Sequence, residues 1–273
     1  MYHYRLHEIG GREKTMEKIL KIALVSVFVF YMSANAEAGT RLYSPNVEKG
    51  ELEFEWIGDW DFDDTDSKDN NYGQKFMVGW GLTDYVKIEG GVRVKKTATD
   101  RDMHYDSWIL EVIWQLTEPG EHWVDVGFLF EYYDFMLNND TTKQRKAEIK
   151  ALIEENQLFN NVTNIANLAI EREFGDNSDK SAEFAYSWLT KYRYGSHFEP
   201  GFEAHGNIGK FSKSKSLDNQ KHYFGPVAYG EIPVASPTDL PAKIAWKFGY
   251  LKGLTSASID NKFVWELENE IYF

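Results

Sequence analysis

Acidic side chains at every second position are the most prominent reactive groups of this sequence. In ELEFEWIGDWDF, Glu51, Glu53, Glu55, Asp59 and Asp61 alternate with Leu52, Phe54, Trp56, Trp60 and Phe62. Closely spaced carboxylates can hold a cation, share protons or line a wet passage. An acidic run follows at Asp61, Asp63, Asp64, Asp66 and Asp69. Its spacing offers oxygen ligands for weak Ca²⁺ binding, yet the glycine at the sixth position and the closing glutamate of an EF-hand are missing. A solvated loop is therefore expected, with no metal and no cofactor. The chain has no cysteine, which removes disulfides, thiolate metal sites and a thiol nucleophile.

Nucleophilic catalysis needs a base within reach of a nucleophile. Beyond residue 38 the histidines are His104, His122, His197, His205 and His222. Only His205, two residues from both Glu203 and Asn207, has neighbours able to orient an imidazole. That parity also carries Glu203, so His205 reads as a wall residue, with no catalytic residue expected and the protein not an enzyme.

These groups need a framework that separates two faces at a period of two, which is a β-strand. Twelve such segments are legible: 51–62, 72–82, 86–95, 107–116, 123–133, 147–155, 162–174, 182–193, 198–210, 222–232, 240–251 and 261–273. The sixth would serve equally well as an amphipathic helix, with Ile149, Leu152 and Ile153 on one face. It is kept as a strand because single-chain bacterial barrels have an even strand count. Connections at 83–84, 117–121, 157–161 and 194–197 are short. Those at 63–71, 96–106, 134–146 and 211–221 are longer and polar, the alternation of periplasmic turns and external loops. The proline-rich stretch at 233–241 breaks that alternation.

Eight of the nine tryptophans share the apolar parity of their strands, Trp123 being the exception. Several lie near strand ends, where aromatic girdles meet lipid headgroups. A β-sandwich core has shorter strands, whereas these approach the length that crosses a bilayer at a tilt. The predicted fold is an all-β, transmembrane, antiparallel up-and-down barrel of about twelve strands. The aromatic fraction of 16% beside a mean hydropathy of −0.51 fits, because only alternate residues face lipid. The net charge of −13 argues against nucleic acid as a partner.

The inner parity then carries Glu53, Glu55, Lys87, Glu89, Arg93, Glu111, Asp125, Glu131, Glu171, Glu183, Lys191, Glu203, His205, Lys243, Lys247, Glu266 and Glu268. These are the expected lumen-lining residues of a passive, porin-like outer-membrane channel for small solutes, its acid-weighted wall favouring cations and neutral molecules over anions. The alternative is a filled, salt-bridged interior in a non-conducting structural or surface-interaction barrel.

Export is expected from MEKILKIALVSVFVFYMSANAEAG at Met16. Lys18 and Lys21 precede an apolar run too short to span a bilayer, and small residues flank cleavage points before Glu37 and Gly39. Residues 1–38 are read as a signal peptide, with residues 1–15 untranslated if synthesis starts at Met16, and 39–273 as the barrel.

The end of the chain, FVWELENEIYF, places Trp265, Leu267, Ile271 and Phe273 on one parity and finishes on an aromatic. It resembles the C-terminal signal of Gram-negative outer-membrane proteins read by the barrel-assembly machinery, with Asn269 standing where an apolar residue is usual. Together with GYLKGLTSASIDNKFVWELENEIYF and the spacing around residues 161–175, the chain is similar to MetA-type proteobacterial barrels. That resemblance implies a barrel fold and an outer-membrane location; the family is associated with the uptake of aromatic compounds, but the likeness does not extend to a substrate. Lipid, the assembly machinery and small solutes are the expected partners.

Overall fold

Alternation of apolar and polar residues forms strands here with the apolar face outward. The computed structural model describes residues 41–135, 144–159, 161–175, 181–210, 216–234 and 240–273. The leader expected at 1–38 lies outside them. Twelve strands run in chain order: β1 (Glu51–Phe62), β2 (Tyr72–Gly81), β3 (Val86–Lys96), β4 (His104–Gln115), β5 (Asp125–Phe135), β6 (Gln144–Glu155), β7 (Val162–Phe174), β8 (Glu183–Tyr192), β9 (Glu199–Lys210), β10 (Lys221–Val234), β11 (Ala242–Gly253) and β12 (Asn261–Tyr272). Each pairs antiparallel with its neighbours in sequence, and β12 returns to β1, closing the barrel. The closing ladder runs from Glu51 opposite Tyr272 to Phe62 opposite Asn261. Closure leaves no unpaired sheet edge, the condition for a β structure to sit in hydrocarbon.

The sixth segment is a strand. Its helical reading fails because Glu148, Lys150, Leu152 and Glu154 share one wall of the sheet, whereas a helix would scatter them. No described helix is long and apolar enough to cross a membrane, so any crossing is made by strands.

Burial inverts that of a soluble domain. Glu55, Glu89, Glu111 and Glu203 are at most 1% exposed, while Trp80, Trp114, Ile149 and Phe202 on the outer face are about half exposed. Carboxylates so deeply buried need partners, and apolar rings so exposed need a non-aqueous surrounding. The two outward residues Trp265 and Ile271 are nevertheless buried. Trp265 lies across Gly58, its partner in the closing ladder, where an added Cβ would stand 2.3 Å from the indole. The indole thereby fills the space a side chain at Gly58 would take. Phe273, by contrast, is exposed and donates its amide to the Gly50 carbonyl.

Loop lengths alternate less cleanly than the sequence suggests. The connection between β4 and β5 covers 116–124 and leaves Trp123 exposed in it. It is extended because Pro119 has no amide to donate to a ladder, and Gly120 turns at φ +76° with its amide on the Asp125 carboxylate. The acidic loop after β1 uses its carboxylates internally. Asp63 accepts the Thr65 amide, Asp69 accepts the Asp63 amide, and Asp260 in the last loop accepts the Asp64 amide. In the loop after β3, the hydroxyl and amide of Thr97 both donate to Asp100 and hold its carboxyl below the usual range.

Candidate functional site: the barrel interior

The interior is built on the inward parity of every strand, and a segment ahead of β1 runs through it. Residues 41–47 lie inside the barrel and reach the wall at a turn formed by residues 48–51. There the Glu51 amide donates to the Glu48 carbonyl and the Gly50 amide to the Gly81 carbonyl. Gly50 takes φ +81°, and a Cβ there would sit 3.0 Å from the Phe273 carbonyl oxygen, so this reversal requires glycine. We call residues 41–47 the strap.

Wall side chains satisfy the strap's backbone. The Asn167 amide accepts from the Tyr43 N–H at 2.8 Å and donates to the Tyr43 carbonyl at 2.9 Å. The Gln115 side-chain oxygen accepts the Val47 N–H at 2.7 Å, and the Ser44 hydroxyl donates to Glu154. Apolar contacts complete the docking. Tyr43 and Val47 pack on inward Ile113, Leu129 and Leu152, and Leu42 packs on the cluster holding Ile165 and Leu189. A wall with such residues facing open water would be unfavourable, and the strap covers them.

Arg41 lies in a cage of carboxylates. Its Nη2 lies 2.6 Å from Glu55, Nη1 lies 2.8 Å from Glu89 and 3.2 Å from Glu111, and Nε lies 3.0 Å from Glu266. Glu268 stands 4.0 Å away. The Tyr43 ring lies between the Arg41 guanidinium at 4.4 Å and the Lys150 ammonium at 4.6 Å, and its hydroxyl donates to Glu111.

From the cage, ion pairs extend around the wall. Glu111 meets Lys75, Lys75 meets Glu131, and Glu131 meets Lys150, which also reaches Glu148. Lys146 joins Glu148 to Glu171. Lys87 joins Glu53 to Glu89. Lys262 bridges Asp59 and Asp61, and Lys243 pairs with Glu270. Among the described residues, two carboxylate triplets have oxygens close enough for a cation, Glu51–Glu53–Glu270 and Glu53–Glu55–Glu89. Lys87 and Arg41 already stand on the second.

Of the residues expected on the inner wall, Glu53, Glu55, Lys87, Glu89, Arg93, Glu111, Asp125, Glu131, Glu203, His205, Lys247 and Glu266 are buried. Glu171, Glu183, Lys191, Lys243 and Glu268 are half-buried. The inward parity is less uniformly polar than expected, since Ile57, Met77, Ile109, Leu129 and Leu189 also lie on it. His205 is not isolated. Its Nδ1 lies 2.8 Å from the Ser187 hydroxyl, directly opposite in the β8–β9 ladder, and its Nε2 lies 2.8 Å from Glu203. The atoms form a serine–histidine–carboxylate chain. Glu203 is shared, however, with Lys247 at 2.8 Å and the Tyr229 hydroxyl, and Ser187 sits mid-strand, paired in both flanking ladders. Backbone amides in a ladder are not available as an oxyanion hole.

Two cavities flank the strap. One, of about 550 Å³, opens toward the end where β1 begins and is lined by Glu51, Glu53, Lys87, Glu199 and Lys243. The other, of about 490 Å³, lies toward the opposite end and is lined by Lys75, Glu131, Lys146, Glu171 and His205. Arg41 and Tyr43 border both. The strap was missed in the sequence, although inward apolar residues such as Ile113, Leu129 and Leu152 signalled that something must cover them.

A closed, twelve-stranded antiparallel barrel with an apolar exterior and a charged interior is a transmembrane β-barrel. No family model and no curated protein matches the sequence. Among solved structures, the KdgM porin in complex with disordered oligogalacturonate is similar at 8% identity and a TM-score of 0.44, over 82% of this chain and 99% of that one. OmpT, an outer membrane protein of Vibrio cholerae, is similar at 10% identity and 0.35, over 83% and 98%. The anion-selective porin from Comamonas acidovorans is similar at 7% identity and 0.32, over 82% and 97%. The assignment of the barrel rests on the strand pairing itself.

Proposed function

We propose that the protein is a passive, porin-like channel of the outer membrane for small solutes, narrowed at mid-lumen by its own N-terminal strap. The observation that supports it most is the pair of cavities lined by charged residues, both of which border Arg41 and Tyr43. The acid-weighted wall favours cations and neutral molecules over anions. Aromatic solutes, with which MetA-type barrels are associated, are one class to compare with sugars and amino acids.

The strap itself favours a second reading. Its apolar contacts and ion pairs fill the barrel's middle, as a non-conducting structural barrel would require. Planar-bilayer recording separates the two. The chain ending its N-terminus at Gly39 should conduct weakly. A chain beginning at Glu48 should conduct more and prefer cations in a salt gradient. Silence from both, with correct folding, leaves the structural barrel standing.

A further inference from the structure

Arg41 reaches the cage on a strap, so its guanidinium is a tethered occupant and not part of the wall. We propose that the cage is a guanidinium-binding site at the centre of the lumen, filled by Arg41 when the strap is docked and by free guanidinium cations when it is not. The inference deepens the channel reading and rests on it for how a solute arrives.

Three features of the geometry support it. First, carboxylate acceptors surround the head group, with Nη1 and Nη2 donating to Glu55, Glu89 and Glu111. All three guanidinium nitrogens lie within 3.2 Å of a carboxylate, supplied by β1, β3, β4 and β12. A planar fork of N–H groups suits carboxylates spread around it, whereas an ammonium is a point charge and would reach only some of them. Second, the cage is acidic without its occupant. Lys87 stands on Glu89 and Lys75 on Glu111, while Glu55 and Glu266 meet Arg41. Third, the buried Glu55 Oε2 accepts no hydrogen bond. The Arg41 Nε likewise makes no hydrogen bond, so the tethered head leaves the cage partly unsatisfied, and an untethered guanidinium is free to reorient within it. Both cavities border Arg41, so the site has an approach from either end.

The test is chemical rescue. Refolded Arg41→Ala should melt at a lower temperature than the parent in detergent. Low-millimolar guanidinium should restore most of that loss and leave the parent unchanged. Potassium, calcium or methylammonium at equal ionic strength should restore little. Equal rescue by any of these would overturn guanidinium selectivity, and an absence of rescue would overturn the site. If Arg41→Ala does not fold, Asn167→Ala, which loosens the strap but keeps the cage, should bind guanidinium by calorimetry where the parent does not. Adding Glu55→Gln should weaken binding at least tenfold, and unchanged binding would refute the cage. Rescue without conductance refutes the channel alone; conductance without rescue refutes this site alone.

Discussion

Replacing Asn167 with alanine should release the strap by an amount that the hydrogen bonds set. The amide side chain makes both of its bonds to one strap residue, accepting the Tyr43 N–H and donating to the Tyr43 carbonyl. A net intramolecular hydrogen bond contributes about 1 kcal/mol, so two contribute roughly 2 kcal/mol. Because Asn167 is only 2% exposed, alanine would also leave the Tyr43 groups without partners, which pushes the cost upward. At about 1.4 kcal/mol per tenfold, strap opening becomes roughly 30-fold more frequent. Amide hydrogen exchange reads this directly, since local opening exposes the protected N–H groups. Protection should fall about 30-fold at Tyr43, and the Val47 amide held by Gln115 should fall with it if the strap moves as one unit. Ladder amides in β4 and β5 should be unchanged. Unaltered protection at Tyr43, or an equal fall throughout the barrel, would refute strap docking as a separate equilibrium.

Leu110→Arg places a charge mid-strand on the outer face, where it should cost about 2–4 kcal/mol in urea-dependent folding into vesicles. Glu111→Gln, its inward neighbour, should shift reversal potential toward anions; equal folding cost for an arginine at either parity would mean the register is wrong. Gly58→Ala should lower stability by about 1–3 kcal/mol, because the new methyl would meet the Trp265 indole at 2.3 Å, and Trp265→Leu in the same background should recover part of it. Deleting Phe273 should reduce the yield of folded protein in the outer membrane while leaving the melting temperature of the assembled fraction near the parent's. Ser187 should not react with an activated ester or a fluorophosphonate probe, and covalent labelling there would overturn the non-enzymatic reading.

Periodicity specified eleven of the twelve wall strands. A period of two with rings on one parity and charges on the other can be satisfied only by a sheet whose two faces meet different media, and the limits of β7 coincide with those read from sequence. The sixth strand had to be inferred from the even strand count, because KAEIKALIEE satisfies helical and strand periodicities alike. What the interior does with its charges was not legible. Glu55, Glu89, Glu111 and Glu266 are far apart in sequence, and only closure of β12 on β1 brings them around one guanidinium. The strap has no periodicity, since its backbone bonds go to the side chains of Asn167 and Gln115 and not to a ladder. Ser187 and His205 likewise meet through ladder register, which pairs strands residue by residue once the fold exists. Alternation therefore determines which residues face inward, while the partners they find there depend on barrel closure and register, which no local pattern encodes.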